Sequence, residues 1–257
     1  MERITEPRQV GLARALSKLG FCSRSQAAKL IRAGRVRLNG ATRREPEAPV
    51  RLEHDRIEVD RNAVTAESRI YLMLNKPRGV VTTASDEKGR PTVYSLLGQK
   101  LQWVGPVGRL DKASEGLLLF TNDSEWAALI SDPGSHLDKT YHVQVGALAV
   151  EILAEKLVRG VSVGGELLRA KHARVLRTGE KNTWLEIVLD EGKNRQIRRM
   201  LEHLGIEVLR LIRVAIGPLA LGPLAKGKSR ALATAEKIIL DQVVKISRDK
   251  TRMLEKG

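Results

Sequence analysis

The stretch GRLDKASEGLLLFTND, residues 108–123, places a single acid, Asp111, between an arginine and an apolar run. The run GLLLFT has the length and composition of a buried β-strand, so Asp111 belongs to the loop that leads into it. Such an aspartate is typical of a turn residue or of an ion-pair partner for Lys112. The nearest acid, Glu115, lies four residues on and gives no clear pair for two-carboxylate chemistry. A lone carboxylate would favour nucleophilic or single proton-transfer chemistry, and the spacing leaves structural and catalytic roles open.

The composition indicates a folded protein with a polyanionic partner. The chain has 257 residues, 42% of them apolar, which is enough for one large domain and a small one. Its 45 Lys and Arg against 30 Asp and Glu give a formal net charge of +15, and nucleic acid is the leading partner for such an excess. An anionic membrane surface would also suit the charge. However, no apolar run has the length of a spanning helix, and MERITEPRQV lacks the apolar core of a signal peptide. We therefore expect a soluble, cytoplasmic protein without a membrane partner.

The sequence predicts neither a metal site nor a cofactor site. Cys22 is the single cysteine, which excludes an internal disulfide and a cysteine-cluster metal site, and we expect it to act as a small, partly buried apolar residue. The five histidines are scattered, and no pair at i,i+4 brackets a glutamate as in zinc hydrolases.

The N-terminal part carries a basic region from Arg8 to Arg44, with ten Lys and Arg and no acid. Within it, LARALSKLG has the apolar spacing of a helix, and Ser23 with Gln26 predicts a capping box for a second helix that ends at Gly34. The segment RVRLNG alternates like a strand and closes on Asn39-Gly40, a hairpin-turn signal. Single surface arginines are common, but ordinary surfaces intersperse both charge signs, so this region predicts a binding surface.

These residues, with DRIEVD after them, resemble the alpha-L RNA-binding domain first seen in a small-subunit ribosomal protein. The resemblance covers about residues 8–61 and implies binding of structured RNA through the second helix and the following strand. The implied RNA-binding residues are Arg14, Lys18, Arg24, Arg32, Arg35, Arg37 and Asn39.

A second, larger domain follows a predicted linker at 62–68 and extends over 69–236, with a basic C-terminal extension at 237–257. IYLMLNKPRGVV, GLLLFT, KTYHVQV and TWLEIVL read as strands, whereas SEWAALIS, AVEILAEKLV and RQIRRMLEHLG read as helices. This irregular order predicts an α+β fold with a mixed, mainly antiparallel sheet flanked by helices. The extension is predicted to be a frayed helix or a disordered tail.

One motif points to a different class of protein. GPLAKGKS, residues 222–229, satisfies the phosphate-loop pattern of nucleoside triphosphatases. That mechanism needs a strand, a loop of free backbone N–H groups and a helix in a parallel sheet. Pro223 lacks one of those N–H groups, and 28 residues follow Ser229, so we interpret the segment as a turn with a basic flank.

GRLDKASEGLLLFTND resembles the active-site signature of the RsuA/RluB-type RNA pseudouridine synthases. KTYHV (139–143) resembles the second motif of that family and EGKNRQIRRM (191–200) its third, and MLNKPRGVVTT stands near the domain start as expected. The likeness runs from about residue 8 to about residue 236. One departure is Ser124 at the position of a common glycine, which we expect to change only a helix cap.

The resemblance implies that Asp111, Tyr141 and Arg198 are catalytic. Asp111 would act on the ribose as nucleophile or base, Tyr141 would stack on the flipped uracil, and Arg198 would pair with Asp111. Substrate-binding roles are implied for Arg109, Ile197, Lys139, Asn194 and Arg195, with Arg195 at phosphates.

The implied activity is conversion of uridine to pseudouridine in ribosomal RNA, free or in partly assembled subunits, by a monomer without metal or cofactor. Large-subunit (23S) RNA is favoured because GKNRQIRRM looks closer to family members acting there. Small-subunit RNA, transfer RNA and a non-catalytic RNA-binding or ribosome-assembly role stay open as alternatives.

Overall fold

The computed structural model describes residues 9–84, 86–98, 102–148 and 151–254, and the chain divides into two compact units. The first unit comprises residues up to 71 together with 102–105 and 120–127, and the second comprises the others. The elements before residue 70 are β1 (Val10–Gly11), α1 (Leu12–Lys18), α2 (Arg24–Arg32), β2 (Val36–Leu38), β3 (Ala41–Arg43), β4 (Pro49–Val50), β5 (Ile57–Val59) and β6 (Asn62–Ala63).

The N-terminal elements form as their local signals predict. The Ser23 hydroxyl accepts from the Gln26 backbone N–H, and the Gln26 side chain accepts from the Ser23 N–H, which completes the predicted capping box of α2. Asn39 and Gly40 both have positive φ, as the predicted two-residue turn between β2 and β3 requires. The apolar faces of α1 and α2 pack over a sheet of order β3-β2-β5-β6.

The later elements alternate between strands and helices. They are β7 (Tyr71–Lys76), β8 (Gly105–Val107), β9 (Glu115–Thr121), α3 (Ser124–Ser131), β10 (Lys139–Val145), α4 (Glu151–Arg159), β11 (Val161–Val163), β12 (Glu166–Leu168), β13 (His172–Thr178), β14 (Thr183–Leu189), α5 (Gln196–His203), β15 (Val208–Ile216), β16 (Leu219–Ala220), β17 (Ser229–Ala231) and α6 (Thr234–Leu254). Short 3₁₀ turns stand at Val93–Leu96 and Pro133–Ser135.

A mixed sheet is the centre of the second unit. Its described strands run in the order β13-β14-β10-β15-β9-β7-β17, with β16 beside β15 and β8 beside β9. The β13–β14–β10–β15 pairs and the β7–β17 pair are antiparallel, whereas β15 and β9 are parallel. This arrangement confirms the predicted α+β class and the mainly antiparallel sheet. The parallel pair matters for the site, because it brings the start of β9 next to the middle of β15.

Several boundaries differ from the sequence-based expectations. Residues 62–63 form β6 and pair with β5, so the first two residues of the predicted linker are sheet residues. The strand expected over 70–81 ends at Lys76, since a proline follows it. The predicted extension is helical through Leu254 and buries Leu240 and Val244, so its first part is packed.

Some predicted positions cannot be compared. Arg8, Ala149, Val150 and residues 255–257 lie outside the described residues. Cys22 is buried as expected, and that burial raises the pKa of its thiol to about 11, which leaves it unreactive at neutral pH.

Candidate active site

The second unit contains a cavity of about 320 Å³ that is lined by all eight predicted catalytic and substrate-binding residues. Its volume is at the lower end of the range of small-ligand pockets. The residues come from the loop between β8 and β9, from β10, and from the turn that enters α5. They are Arg109, Asp111, Lys139, Tyr141, Asn194, Arg195, Ile197 and Arg198.

A buried lysine holds the loop of Asp111 in place. Lys76, at the end of β7, has no solvent-exposed surface. Its Nζ donates to the carbonyl oxygens of Pro77 at 3.1 Å, Asp111 at 3.0 Å and Ser114 at 2.9 Å. Three donors and three acceptors match, so the ammonium group is fully satisfied and fixes both ends of the turn that presents the Asp111 carboxylate.

Lys76 was not among the predicted site residues, although a signal for it exists. Leu72 and Leu74 are buried on β7, and a period of two residues places position 76 on the same face. A lysine at a core position of a strand requires buried acceptors, since a buried charge is costly unless it is hydrogen-bonded. The loop carbonyl groups supply them.

We predict a pH signature of this burial. Burial lowers the pKa of Lys76 from 10.5 to about 8, against the opposing influence of Asp111 and Glu115. At pH values between these two pKa values, Lys76 is protonated in the unfolded chain but has lost its proton in the folded protein. Lys76 should therefore make the free energy of unfolding rise with pH, by up to ~1.4 kcal/mol per pH unit. Urea unfolding at pH 8, 9 and 10 should show a smaller rise in Lys76→Met. Equal slopes in both proteins would contradict the assignment.

The Asp111 carboxylate has a different partner from the one predicted. Its Oδ2 lies 3.5 Å from Nη1 of Arg195, at a carboxylate that is 39% exposed. Arg198 instead donates from Nη2 to the carbonyl oxygen of Ala113 at 3.0 Å. Within the described residues the predicted Arg198–Asp111 ion pair is therefore absent. The guanidinium of Arg198 is engaged by the Ala113 carbonyl, and the one that reaches the carboxylate belongs to Arg195, which stands before α5 in a left-handed conformation with φ of 49°.

Arg198 still contributes charge near Asp111. It is partly buried, and burial together with the positive charge of Arg195 lowers its pKa, while the charge of Asp111 raises it. Its Nε is buried and has no hydrogen-bond partner among the described residues. Arg198 thus fixes the Ala113 carbonyl in the Asp111 loop and places a second cation behind the carboxylate.

The walls of the cavity combine apolar and basic groups. Tyr141 is half-buried and packs against buried apolar side chains of β10, β14, β15 and α5. Ile197 is buried in the first turn of α5. Lys139, also on β10, is half-buried; burial and then the positive charge of Arg213 lower its pKa. Arg109 and Asn194 are exposed at the mouth, and Arg109 makes no ion pair among the described residues. The implied roles of these residues stay predictions.

The GPLAKGKS segment is not a phosphate-binding loop. It consists of turns that lead into the strand β17 and not into a helix. Lys226 in this segment binds Oε2 of the buried Glu115 at 2.6 Å, and Arg210 contacts both oxygens of the same carboxylate at 3.1 Å. The segment thus neutralises an acid at the start of β9.

The predicted RNA-binding residues of the first unit fall into two groups. Arg14, Arg24 and Arg32 are exposed, and their side chains make no hydrogen bond or ion pair within the described chain. Four others are engaged inside the unit: Lys18 with Glu125, Arg35 with Asp60, Arg37 with Glu58, and Asn39 with both Asp55 and the Arg56 backbone. Asn39 in particular is committed to its turn.

The described residues contain neither a metal-binding cluster nor a membrane-spanning helix. No group of three or more His, Cys, Asp or Glu side chains is placed to hold a metal ion. Among the helices in the described ranges, none is both long and apolar enough to cross a membrane.

Comparison with known proteins gives a consistent result across the chain. Family models match at residues 10–57 (S4 domain) and 70–203 (RNA pseudouridylate synthase). An uncharacterized RNA pseudouridine synthase of Aquifex aeolicus is 37% identical over 89% of this chain and 92% of its own length. The Bacillus subtilis ribosomal large subunit pseudouridine synthase B is 36% identical over 88% and 93%. A crystal structure of a pseudouridylate synthase aligns with a TM-score of 0.63 at 30% identity, covering 91% of this chain and 99% of the other.

Proposed function

The chain belongs to the RNA pseudouridylate synthase family, and from this premise we propose that it isomerises specific uridines of large-subunit ribosomal RNA. That it is an RNA pseudouridine synthase with an S4 domain follows from the family itself. The choice of RNA is supported by the Bacillus subtilis relative, whose name specifies the large ribosomal subunit and which aligns over nearly its whole length. We also propose that the protein is cytoplasmic and monomeric. For a monomer, light scattering should give the mass of one chain, 28.4 kDa.

The observation that carries the chemistry is the lone carboxylate of Asp111 in a cavity rich in cations. In the isomerisation, the bond from N1 of uracil to C1′ of ribose breaks, and a bond from C5 to C1′ forms. The proton on C5 is released and N1 becomes protonated, so nothing is consumed. One carboxylate suffices, either by attacking C1′ or by removing a proton from C2′.

The neighbouring residues would retain and orient the detached base. Tyr141 would offer its ring to the uracil that leaves the RNA stack, and Ile197, which lines the same cavity, would close the pocket over the base. Arg195 contacts the Asp111 carboxylate and Arg198 holds the Ala113 carbonyl of the same loop, so the two arginines would orient the carboxylate in the cavity. Arg109 and Asn194, exposed at the mouth, are placed for the RNA backbone.

The first unit would hold structured RNA through its unpaired arginines. We predict that the triple variant Arg14→Gln, Arg24→Gln, Arg32→Gln binds ribosomal RNA more weakly. The plot of log K against log salt should become less steep, its negative slope shrinking in magnitude by about 2 to 3, because each lost phosphate contact removes about 0.7 to 0.9. Turnover at saturating RNA should change little.

The double variant Arg35→Gln, Arg37→Gln is the matched control, because both arginines lie in the same unit but are already paired with acids. It should reduce the salt slope by less than the triple variant. An equal or larger reduction would show that the engaged arginines contact RNA at least as much as the free ones, which would contradict the proposed division. Filter binding at 50 to 300 mM salt measures both slopes.

The target is tested by incubating the purified protein with unmodified large-subunit RNA, small-subunit RNA and transfer RNA in separate reactions. Carbodiimide labelling and primer extension then map any pseudouridine. We expect a new stop in large-subunit RNA, free or in partly assembled subunits. A stop confined to small-subunit RNA or transfer RNA would replace the proposed target, and binding without any stop would favour a non-catalytic role.

A further inference from the structure

Arg213, in the middle of β15, is a buried guanidinium with unmet donors. The residue is 6% exposed, and its Nε donates to the carbonyl oxygen of Leu117 at 2.7 Å. Its two terminal nitrogens make no hydrogen bond or ion pair within the described chain, and Nη2 is among the buried atoms that have no partner. The two N–H groups of Nη2 are therefore buried and lack an acceptor from the described protein.

Such an arrangement is unfavourable unless something else supplies the acceptor. A buried charge is strongly destabilising without compensation. Arg210 lies three residues earlier on the same strand and is forked onto Glu115 at 3.1 Å, so this strand can provide an arginine with a carboxylate. Among the described residues Arg213 has no carboxylate partner, although it lines the cavity that contains Asp111.

The sheet register places Arg213 beside the predicted stacking residue. Tyr141 on β10 and Arg213 on β15 are direct cross-strand partners, so their side chains leave the same face of the sheet about 5 Å apart. On the other side, Arg213 pairs with Gly116, where a Cβ atom would lie 2.2 Å from the Arg213 carbonyl oxygen. Gly116 thus permits the close strand contact that fixes the backbone of Arg213.

Depth in the cavity decides which part of a nucleotide Arg213 meets. Arg109 and Arg195 are exposed at the mouth, where the phosphates of an extruded nucleotide would stay with the RNA. Arg213 is nearly buried and adjoins Tyr141, where the base would enter. We propose that Arg213 donates hydrogen bonds to a carbonyl oxygen of the uracil and so determines base specificity. This rests on the proposed function only in that the cavity receives a uridine.

Nucleotide binding tests this without turnover. Saturation-transfer NMR titrations would compare uridine 5′-monophosphate, cytidine 5′-monophosphate and ribose 5-phosphate on the full-length wild type, Arg213→Met and Arg213→Lys. We expect Arg213→Met to weaken uridine 5′-monophosphate about tenfold, as for one hydrogen bond from a charged donor, with ribose 5-phosphate unchanged. Arg213→Lys should recover part of the loss. Wild-type rejection of cytidine 5′-monophosphate that disappears in Arg213→Met identifies O4 as the acceptor. An equal loss of cytidine 5′-monophosphate binding would place the contact at O2, which both bases carry, and would overturn the role of Arg213 in base specificity.

Other outcomes would overturn the inference. Unchanged uridine 5′-monophosphate affinity in Arg213→Met, or no measurable preference for it over ribose 5-phosphate in the wild type, excludes a base contact. An equal loss for ribose 5-phosphate would assign Arg213 to the phosphate instead. Arg210→Met controls for general destabilisation, since it should lower the melting temperature but keep the nucleotide preference. Failure of the wild type to modify any RNA would count against the proposed function, and the nucleotide titrations would still decide the role of Arg213.

Discussion

Asp111→Asn should lose pseudouridine synthesis by about 10⁴-fold or more, since removing a group that forms or breaks bonds has effects of this size. The amide keeps the size of the side chain and its place in the loop, which Lys76 holds through the backbone carbonyl of Asp111 and not through its carboxylate. The amide cannot attack C1′ or remove a proton from C2′. RNA affinity should therefore stay close to that of the wild type, and single-turnover assays with filter binding measure both quantities.

Asp241→Asn is the matched control for this substitution. The Asp241 side chain is also 39% exposed and also pairs with a cation, Lys237 at 2.6 Å, but it lies on α6 and does not line the cavity. The turnover of Asp241→Asn should equal that of the wild type. Substantial turnover by Asp111→Asn, within about tenfold of the wild type, would remove the carboxylate from the chemistry.

Arg198→Met should reduce the single-turnover rate by about 10³-fold, whereas Arg195→Met should reduce it by less than about tenfold. The two arginines differ in burial. Arg198 is partly buried, holds the Ala113 carbonyl of the Asp111 loop and has an unpaired Nε, so its loss alters both the loop and the local charge. The Arg195 pair with Asp111 is exposed and 3.5 Å long, which is weak in water.

The conservative variant separates charge from loop geometry. Arg198→Lys keeps the charge but not the planar fork, so it should recover part of the rate lost in Arg198→Met. A larger loss for Arg195→Met than for Arg198→Met would contradict this ranking and make the exposed ion pair the main support of Asp111. Melting temperatures of all three variants show whether a lost rate reflects a lost fold.

Local signals predicted much of the fold. The capping box of Ser23, the turn at Asn39-Gly40 and the apolar run of β9 each depend on a few adjacent residues, and each forms as predicted. The family motifs predicted eight residues that the fold brings to one cavity, although they come from three separate segments.

The partners of the charged groups could not be predicted in the same way. Lys76 and Arg213 are buried because their positions on β7 and β15 face the core of the assembled sheet. The order of the strands, including the parallel pairing of β9 with β15, is known only from the folded structure. Arg195, which pairs with Asp111, has a positive φ angle before α5, and no spacing rule specifies that conformation. The family motifs located Asp111, Arg195 and Arg198, but the contacts between these residues depend on tertiary structure.

The most direct test of the central claim is tritium release from large-subunit ribosomal RNA labelled at C5 of its uridines. Each pseudouridine formed must release the C5 hydrogen, because that carbon becomes the one attached to ribose. We expect release that reaches a plateau at a small whole number per RNA with the wild type and stays at background with Asp111→Asn. Background release by the wild type on free and partly assembled large-subunit RNA, or equal release by both proteins, would contradict it.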